Sequence, residues 1–508
     1  MVARLWCGGL QGVDAFRVDL EVDVVRQGLP AFVLVGLAEG AVREARERVF
    51  GALRAAGFKL PPSRITVNLA PADRRKEGSA YDLPLAVALL MSAGVLPPER
   101  GEGWLLAGEL SLTGAIKPIP GILPLAMLAR SEGARGMIVS PENAAEASMV
   151  EGLQVFAMQS LGDAVAFLGG TLEASPVPFA APKLESAPYA MDYADVKGQE
   201  HAKRAIEIAA AGGHNLLFIG PPGSGKSMLA RRIPSVLPPL AFEEALEVTK
   251  IYSVAGKLEG KGLVTVRPFL EQHPTASEVS LVGGGTHPRP GAVSLAHRGV
   301  LFLDELPEYP RGTLEVLRQP LETGEVTVSR AAQTVVFPAD CMLVAAMNPC
   351  PCGYLGDPGH ACTCTPQQIQ RYRSKISGPL LDRIDLHIHV PAVPYEDLQS
   401  RKTGTDSAAM RARITAARAV QSARYRGIPG CRTNADLNGR LLAECCEPDA
   451  EGRAFLREAV RSLSLSARAY TRILRISRTI ADMEGAESLS LRHLAEAVGC
   501  RVLDRERH

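Results

Sequence analysis

The spacing of hydrophobic positions predicts an α/β or α+β domain over residues 1–171. Several short segments carry apolar residues either in alternation with polar ones or in unbroken runs, as strands do. These segments are FRVDLEVDV, AFVLVGL, ITVNLA, GMIVS and LQVFAM. Apolar residues recur at helical spacing in AVREARERVFGALRAAG and AYDLPLAVALLMSAG. We therefore expect strands and helices to alternate within this first domain.

A change in composition marks the end of that domain. The segment TLEASPVPFAAPKLESAPY is crowded with Pro, Ala and Ser and has no hydrophobic periodicity. This composition is typical of an exposed linker, which we place at residues 172–191.

The rest of the chain divides into a sheet-containing domain and a helical one. Over residues 192–394, helical stretches separate the short apolar segments NLLFIG, GVLFLDE, CMLVAAMN and DLHIHV. This order predicts a mostly parallel sheet with helices on both faces. Over residues 395–508, Ala, Arg, Leu and Glu dominate with helical periodicity. We expect this last part to be a helical bundle.

Composition and charge exclude several classes of protein. The 508 residues suffice for roughly three domains, and 46% hydrophobic with 22% charged residues is ordinary for a globular chain. Lys and Arg number 56 against 55 Asp and Glu, so any nucleic-acid contact must come from local patches. MVARLWCGGLQGVDAF does not resemble a signal peptide, and no stretch provides about 20 apolar residues. We expect a cytoplasmic protein without membrane contact.

A phosphate-binding loop is the strongest chemical signal. The run NLLFI is followed by eight residues that match G-x-x-x-x-G-K-[ST], namely Gly220, Pro221, Pro222, Gly223, Ser224, Gly225, Lys226 and Ser227. In this motif backbone N–H groups surround the phosphates of ATP, the lysine meets the β and γ oxygens, and the serine hydroxyl ligates Mg²⁺. The alternative, a glycine-rich turn without a ligand, is disfavoured by the strand and helix that flank it.

Two carboxylates follow the next strong strand signal. The run GVLFL ends in Asp304 and Glu305, where a central strand would reach the sheet edge that binds ligands. We predict that Asp304 holds Mg²⁺, directly or through water, and that Glu305 is the general base for the attacking water. A solvated pair of loop charges is the alternative, and the four apolar residues before it disfavour that reading.

The order of these parts resembles AAA+ ATPases of the magnesium-chelatase and MCM branch. Asn348 closes the strand LVAAMN, and Arg383 lies in GPLLDRIDLHIHV. The resemblance implies that Asn348 is sensor 1 and that Arg383 is an arginine finger for a neighbour's γ-phosphate, which requires a ring. Arg468, in SARAYTR, matches a sensor 2 arginine, with a surface helix charge as the alternative.

The first domain resembles the proteolytic domain of Lon. The similar segments are GLAEGAVREARERVF, PPSRITVNLAPADRRKEGSAYDLPLAVALL and GELSLTGAIKPIPGILPLAMLA. Lon uses a Ser nucleophile and a Lys base. The nucleophile position falls here on Ala80 and the base position on Leu125, while Ser79 lies one place off. We expect no proteolysis, and we interpret the domain as a scaffold or as a module for nucleic acid or a partner.

The sequence of domains is similar to that of the ComM (YifB) family, as are VSLAHRGVLFLDELPEY and SGPLLDRIDLHIHV. Membership implies a homo-hexameric ring that uses ATP and Mg²⁺ to drive branch migration on single-stranded and branched DNA during natural transformation. An alternative is a magnesium-chelatase-type motor that remodels a protein or metal-insertion partner, which the first domain disfavours. A scaffold that binds ATP without hydrolysing it is disfavoured by the intact catalytic set.

Three segments are candidates for DNA contact. Arg330 lies near the turn between two predicted strands in TGEVTVSRAAQTVVF, and the flexible segment GGGTHPRPGAVS carries His287 and Arg289. Loop charges without a ligand are the alternative. One predicted helix carries five arginines, which we interpret as a solvated or inter-subunit face: Arg411, Arg413, Arg418, Arg424 and Arg426. The segment RPFLEQHPTAS lacks the basic, His-rich character that the resemblance implies there.

Four of the ten cysteines form two C-x-C pairs directly after Asn348: Cys350, Cys352, Cys362 and Cys364. Four thiolates so close together suit tetrahedral Zn²⁺, and His360 is an alternative ligand. Reduced structural thiols and a redox switch are the other readings. We expect the remaining six to be small buried side chains: Cys7, Cys341, Cys431, Cys445, Cys446 and Cys500.

Overall fold

A computed structural model describes residues 2–26, 29–38, 41–179, 189–258, 262–285, 288–330, 333–394 and 404–505. The chain folds into two compact units. The first contains residues 1–184, 241–264 and 331–337, and the second contains 185–240, 265–330 and 338–508. The predicted boundaries near residues 171, 191 and 394 stay predictions, and part of the predicted linker lies outside the described residues.

The first unit contains a four-stranded sheet. Its strands follow the order Val2–Gln11, Asp14–Val25, Arg64–Ala70 and Ala31–Val35. The first three are antiparallel neighbours, and the last pair is parallel. In the second strand Val18, Leu20 and Val22 are buried while the residues between them are more exposed, so one face of the sheet packs on the core. The opening strand was not among the segments predicted from sequence.

Two smaller sheets and several helices complete this unit. The strands are Trp104–Leu106, Gly136–Val139 and Val155–Ala157, which are parallel, and Glu109–Leu110 with Ile116–Lys117, which are antiparallel. The helices are Ala41–Ala55, Asp82–Ser92, the 3₁₀ turn Pro98–Arg100, Ile122–Ser131, Pro141–Ala147, Leu161–Gly169 and Phe242–Val254. Asp82–Ser92 is buried along its whole length, as a helix that is apolar on all sides should be.

The second unit is built on a five-stranded parallel sheet. The strand order is Phe269–Gln272, Val300–Leu303, Met342–Met347, Leu216–Ile219 and Leu386–His389. The three central strands are buried throughout and read as unbroken apolar runs. The predicted parallel sheet is confirmed, and with it the α/β class. The edge strand Phe269–Gln272 was missed because its residues are only partly buried and mixed in polarity.

Helices surround this sheet and continue into the C-terminal bundle. The helices before the bundle are Glu200–Gly212, Lys226–Arg231, Glu278–Val282, Ala292–Leu295, Arg311–Glu315, Pro320–Thr323, Pro366–Arg373 and Gly378–Leu381, with 3₁₀ turns at Tyr193–Asp195, Ile233–Ser235, Leu306–Glu308 and Val316–Arg318. The bundle helices are Ser407–Arg424, Gly439–Cys445, Ala450–Ser462, Ala467–Glu484, Leu491–Gly499 and Val502–Arg505, with a 3₁₀ turn at Asn434–Asp436. Further short strands lie at Gly283–Gly284, Arg289–Pro290, Glu325–Arg330 and Gln333–Pro338. The predicted helical bundle is therefore present.

The arginine-rich bundle helix Ser407–Arg424 is turned toward its own unit. Arg411 and Arg418 donate to the backbone carbonyls of Ser235 and Ala210. Arg413 pairs with Glu207 and Arg424 with Asp482. Arg411, Arg418 and Arg424 are partly buried against acceptors in the same unit, so the interpretation of a solvated face is wrong for these three, whereas Arg413 and Arg426 are exposed as expected.

A buried carboxylate joins the sheet to the bundle. Asp385 accepts hydrogen bonds from the backbone N–H of Asn215 at 3.0 Å and from Arg472 at 2.6 Å. His214 Nδ1 lies 3.6 Å from the same carboxylate, and its Nε2 is 2.8 Å from Thr479. Burial opposes ionisation, but Arg472 and His214 hold the pKa of Asp385 below its usual range. The folded structure therefore stabilises the ionised form of the Asp385 carboxyl.

Among the described parts of the chain, no helix combines the length and the apolar character needed to span a membrane.

We expect Asp385→Ala to destabilise the protein by about 3–5 kcal/mol, because the largely buried Arg472 would keep its charge without its carboxylate partner. Urea unfolding followed by circular dichroism measures the change. Glu444→Ala is the matched control, since Glu444 pairs with Arg440 on the surface, where an exposed ion pair contributes little to stability. Equal effects of the two substitutions would contradict the structural importance of Asp385.

Candidate nucleotide-binding site

The predicted phosphate-binding loop connects the strand Leu216–Ile219 to the helix Lys226–Arg231. Its geometry requires glycine at both ends. A Cβ on Gly220 would lie 2.1 Å from the carbonyl oxygen of Val390, and Gly225 has φ +91° at the start of the helix. The loop is therefore free to present backbone N–H groups at a helix N-terminus, which is an arrangement that binds anions.

The Lys226 ammonium is held inside this loop. Its Nζ donates to the carbonyl oxygens of Gly220 and Pro221, both at 2.8 Å, and lies 3.3 Å from Oδ1 of Asn348. Burial lowers the pKa of Lys226, and the nearby carboxylates of Asp304 and Glu305 oppose that shift. A positive charge that is partly removed from water is well placed to meet phosphate oxygens.

The two predicted carboxylates follow the strand Val300–Leu303. Asp304 Oδ2 accepts a hydrogen bond from the Ser227 hydroxyl at 2.5 Å, so the two predicted Mg²⁺ ligands are in contact. Asp304 Oδ1 accepts the backbone N–H of Glu305 at 2.9 Å. Glu305 is exposed and has φ +51°, a conformation that costs on the order of 1–3 kcal/mol and concentrates at functional sites.

These residues fit ATP with Mg²⁺. The Ser224 hydroxyl is buried and has no hydrogen-bond partner within the described part of the chain, so the loop retains an unused polar atom. The Ser227 hydroxyl and the Asp304 carboxylate are hard oxygen ligands of the kind that Mg²⁺ prefers. A bound Mg²⁺ would neutralise charge on the β and γ phosphates of the substrate.

Asn348 lies where the strand Met342–Met347 ends, and its side-chain oxygen faces Lys226. Its backbone N–H hydrogen bonds with the phenol oxygen of Tyr372, and burial raises the pKa of Tyr372 to about 12. Tyr372 was not predicted as part of the site. The only sequence signal for it is an aromatic residue on the helix that follows the cysteine segment.

Arg383 and Arg468 form a separate charged cluster. Arg383 is almost buried and donates to the carbonyl oxygens of Arg318 at 3.1 Å and Pro379 at 2.7 Å, and to the carboxylate of Glu322. Arg468 donates to Asp382 at 3.3 Å. Among the described residues, no hydrogen bond or ion pair links either arginine to the phosphate-binding loop. Glu322 was not identified from the sequence.

The predicted DNA-contact residues are Arg289, Arg330 and His287. Arg289 is exposed in a short two-stranded pairing with Gly284. The backbone of Arg330 ends the strand Glu325–Arg330. His287 lies outside the described residues. The DNA-contact role of these three residues stays a prediction.

The four predicted metal-ligating cysteines converge. Their sulfur atoms all lie within 4.8 Å of one another. His360, the alternative ligand, instead packs against the ring of Tyr354, and its Nδ1 lies 3.7 Å from the carboxylate of Asp357. Of the six other cysteines, Cys7, Cys431, Cys446 and Cys500 are buried as expected, whereas Cys341 and Cys445 are partly exposed.

The first unit brings no nucleophile and base together at the positions compared with Lon. Ala80 cannot act as a nucleophile, and Leu125 is buried in the core on the helix Ile122–Ser131. Lys76 is the buried lysine nearest in sequence to Ala80, and its ammonium is held by the backbone carbonyls of Pro71 and Arg74. The similarity to Lon stays a prediction.

Three family models match consecutive parts of the chain. The model described as "Magnesium chelatase, subunit ChlI" matches residues 192–398. "Subunit ChlI of Mg-chelatase" matches residues 20–143, and "Magnesium chelatase, subunit ChlI C-terminal" matches residues 404–501. Chelatase-like sequence is therefore found in all three predicted domains.

Individual relatives extend over the whole chain. "Competence protein ComM" of Haemophilus influenzae is 44% identical and aligns over 99% of this chain and 98% of its own length. "Uncharacterized protein YifB" of Salmonella typhimurium is 44% identical over 97% of this chain and 96% of its own length. The "Magnesium-chelatase 67 kDa subunit" of Chlorobaculum parvum is 28% identical over only 41% of this chain and 28% of its own length.

We expect Lys226→Ala to weaken nucleotide binding by roughly ten- to a hundredfold, the loss of about 1.5–3 kcal/mol for hydrogen bonds to a charged group. Titration of a fluorescent ATP analogue measures the affinity. Lys375→Ala serves as control because Lys375 is exposed and pairs with Glu308. Unchanged affinity in the Lys226 variant would argue against a phosphate-binding role for the loop.

Proposed function

The chain belongs to the ComM/YifB family of magnesium-chelatase-like AAA+ proteins, and we propose that it is an ATP-hydrolysing motor that acts on DNA as a ring. The observation that carries the proposal is the meeting of Lys226, Ser227, Asp304 and Asn348 at one edge of a parallel sheet. These side chains supply a phosphate-binding cation, two metal ligands and an amide that can hold a water.

In the proposed hydrolysis each side chain has a separate task. Lys226 binds phosphate oxygens, while Ser227 and Asp304 hold Mg²⁺. Asn348 positions the attacking water, and Glu305 accepts a proton from it. The exposure of Glu305 and its left-handed backbone support this task, because the residue follows Asp304 directly after the strand Val300–Leu303.

The position of Arg383 supports action on a neighbouring subunit. Its backbone carbonyl accepts a hydrogen bond from the side chain of Asn215, just before the strands Leu216–Ile219 and Leu386–His389 begin. The phosphate-binding loop follows the other end of Leu216–Ile219. A four-residue strand spans about 13 Å, which is farther than one arginine side chain reaches. We therefore infer that Arg383 contacts the γ-phosphate of ATP bound to a second copy of the chain, and that Arg468, which pairs with Asp382, lies at the same interface.

The choice of DNA as substrate rests on the relatives. The chain aligns with almost the full length of a protein named for competence, whereas its similarity to a chelatase subunit covers less than half of it. We propose single-stranded and branched DNA as the polymer and branch migration as the activity. Exposed Arg289 is a candidate contact, as is Arg330. A chelatase-type motor that remodels a protein partner is the second candidate, supported by the three family models.

We expect the purified chain with ATP and Mg²⁺ to convert a synthetic three- or four-way DNA junction into migrated products. Gel electrophoresis of labelled strands measures the conversion. Glu305→Gln should bind ATP with near-normal affinity but lose both hydrolysis and migration, because an amide cannot accept the proton from water. Robust ATP hydrolysis by the unmodified chain without any junction migration would favour the chelatase-type motor.

Mixing two inactive variants tests whether the site lies between subunits. Arg383→Ala keeps Glu305, and Glu305→Gln keeps Arg383. In a randomly mixed ring, roughly a quarter of the interfaces would pair the two intact residues. We expect ATP hydrolysis to recover toward that fraction on mixing. If the mixture stays as inactive as the separate variants, Arg383 does not act across an interface.

A further inference from the structure

The four sulfur atoms of the cysteine segment are spaced like the corners of a metal-centred tetrahedron. Cys350 Sγ lies 3.4 Å from Cys352 Sγ and 3.7 Å from Cys362 Sγ, and Cys352 Sγ lies 3.6 Å from Cys362 Sγ. A zinc–sulfur bond of about 2.3 Å gives a tetrahedral edge of about 3.8 Å. These distances are far longer than a disulfide bond, and all four cysteines are free.

Backbone N–H groups point at the same sulfur atoms. Cys352 N–H donates to Cys364 Sγ at 3.4 Å, and Cys364 N–H hydrogen bonds with Cys362 Sγ. The N–H groups of Tyr354 and Thr363 hydrogen bond with Cys352 Sγ. Such donors stabilise negative charge on sulfur and orient ligands around a bound metal.

The segment also touches the phosphate-binding loop. Gly353 is buried with φ +87°, and a Cβ added to it would lie 2.6 Å from Cδ of Pro222. The two segments can therefore approach this closely only because glycine has no Cβ. The cysteine segment thus packs directly against the phosphate-binding loop.

A second connection runs through Asn348. Only Pro349 separates Asn348 from Cys350 in the sequence. The helix Pro366–Arg373, which follows the cysteine segment, contacts the same residues. Arg373 donates to the Pro349 carbonyl at 3.3 Å, and the Tyr372 phenol oxygen accepts the backbone N–H of Asn348. Both ends of the segment 350–364 are thus connected to Asn348, which faces Lys226. Within the segment, Gly353 packs against Pro222 of the phosphate-binding loop.

We infer that Cys350, Cys352, Cys362 and Cys364 bind one zinc ion as thiolates, and that the metal fixes the segment against Pro222 and Asn348 so that the phosphate-binding loop is held ready for nucleotide. On binding, the thiols release their protons to solvent and the metal undergoes no redox change. The positioning part of this inference rests on the proposed nucleotide site, whereas the metal site does not.

Metal content tests the first part. Protein purified without chelator and analysed by atomic emission should contain about one zinc per chain, and a mercurial reagent should release it to a metal-sensitive dye. Cys362→Ser and Cys364→Ser should lose most of the zinc, while Cys341→Ser, which lies outside the cluster, should keep it. Absence of stoichiometric zinc in the unmodified protein, or iron in its place, overturns the assignment even if the serine variants fail to fold.

A pair of glycine substitutions tests the positioning. Gly353→Ala and Gly356→Ala impose similar backbone strain, since φ is +87° and +79°, but a Cβ at Gly356 meets no atom within 4 Å. We expect Gly353→Ala to retain zinc and to bind a fluorescent ADP analogue on the order of tenfold more weakly, because a shift of about 1 Å misplaces the loop. Gly356→Ala should change neither quantity. Equal ADP affinity in the two variants overturns the positioning.

The two readouts separate this inference from the proposed motor function. Zinc content and ADP affinity are measured without DNA and without turnover. Loss of junction migration in a chain that keeps zinc and ADP binding would contradict the DNA motor and leave the zinc inference supported. Normal junction migration in a chain without zinc would support the DNA motor and contradict the zinc inference.

Discussion

The parallel register of three neighbouring strands is the constraint on which the nucleotide site depends. Ile219 lies beside Met347, and Leu303 lies beside Ala345. Because parallel strands end at the same edge, the loops that follow them meet there, and the lysine, the carboxylates and the amide come from three distant parts of the chain. A slip of one residue in any pairing would turn the strand's side chains to the opposite face. Complete burial of these strands on both faces makes such a slip costly.

The opposite edge of the same sheet is fixed by polar contacts. Asn215 links three strands there: it accepts from the backbone N–H of Leu343, donates to the Arg383 carbonyl and hydrogen bonds with Asp385. Asp385 in turn holds Arg472 of the bundle. Polar contacts thus attach the sheet to the bundle where the strands begin, whereas the phosphate-binding loop lies where they end.

The sequence predicts best those features that are local. The phosphate-binding loop, Asp304 with Glu305, and Asn348 each follow a short apolar run, so strand and site residue appear together in one contiguous segment. Pairings between distant segments leave no such trace. The edge strand Phe269–Gln272 has no strong pattern. Arg411, Arg418 and Arg424 look solvated until their acceptors elsewhere in the unit are known. The contact of Gly353 with Pro222 is equally non-local, since a glycine in a turn-rich segment has many possible explanations.

The cysteine segment shows why a bound metal is physically reasonable at this place. Within residues 350–364 only Cys350 and Gly353 are buried, so apolar packing contributes little to its order. Fixing the backbone of such a segment costs conformational entropy. Zinc binds to the four thiolates only where the folded segment brings them together, so its binding free energy opposes that cost. A bound metal would therefore help to order a polar segment next to the phosphate-binding loop.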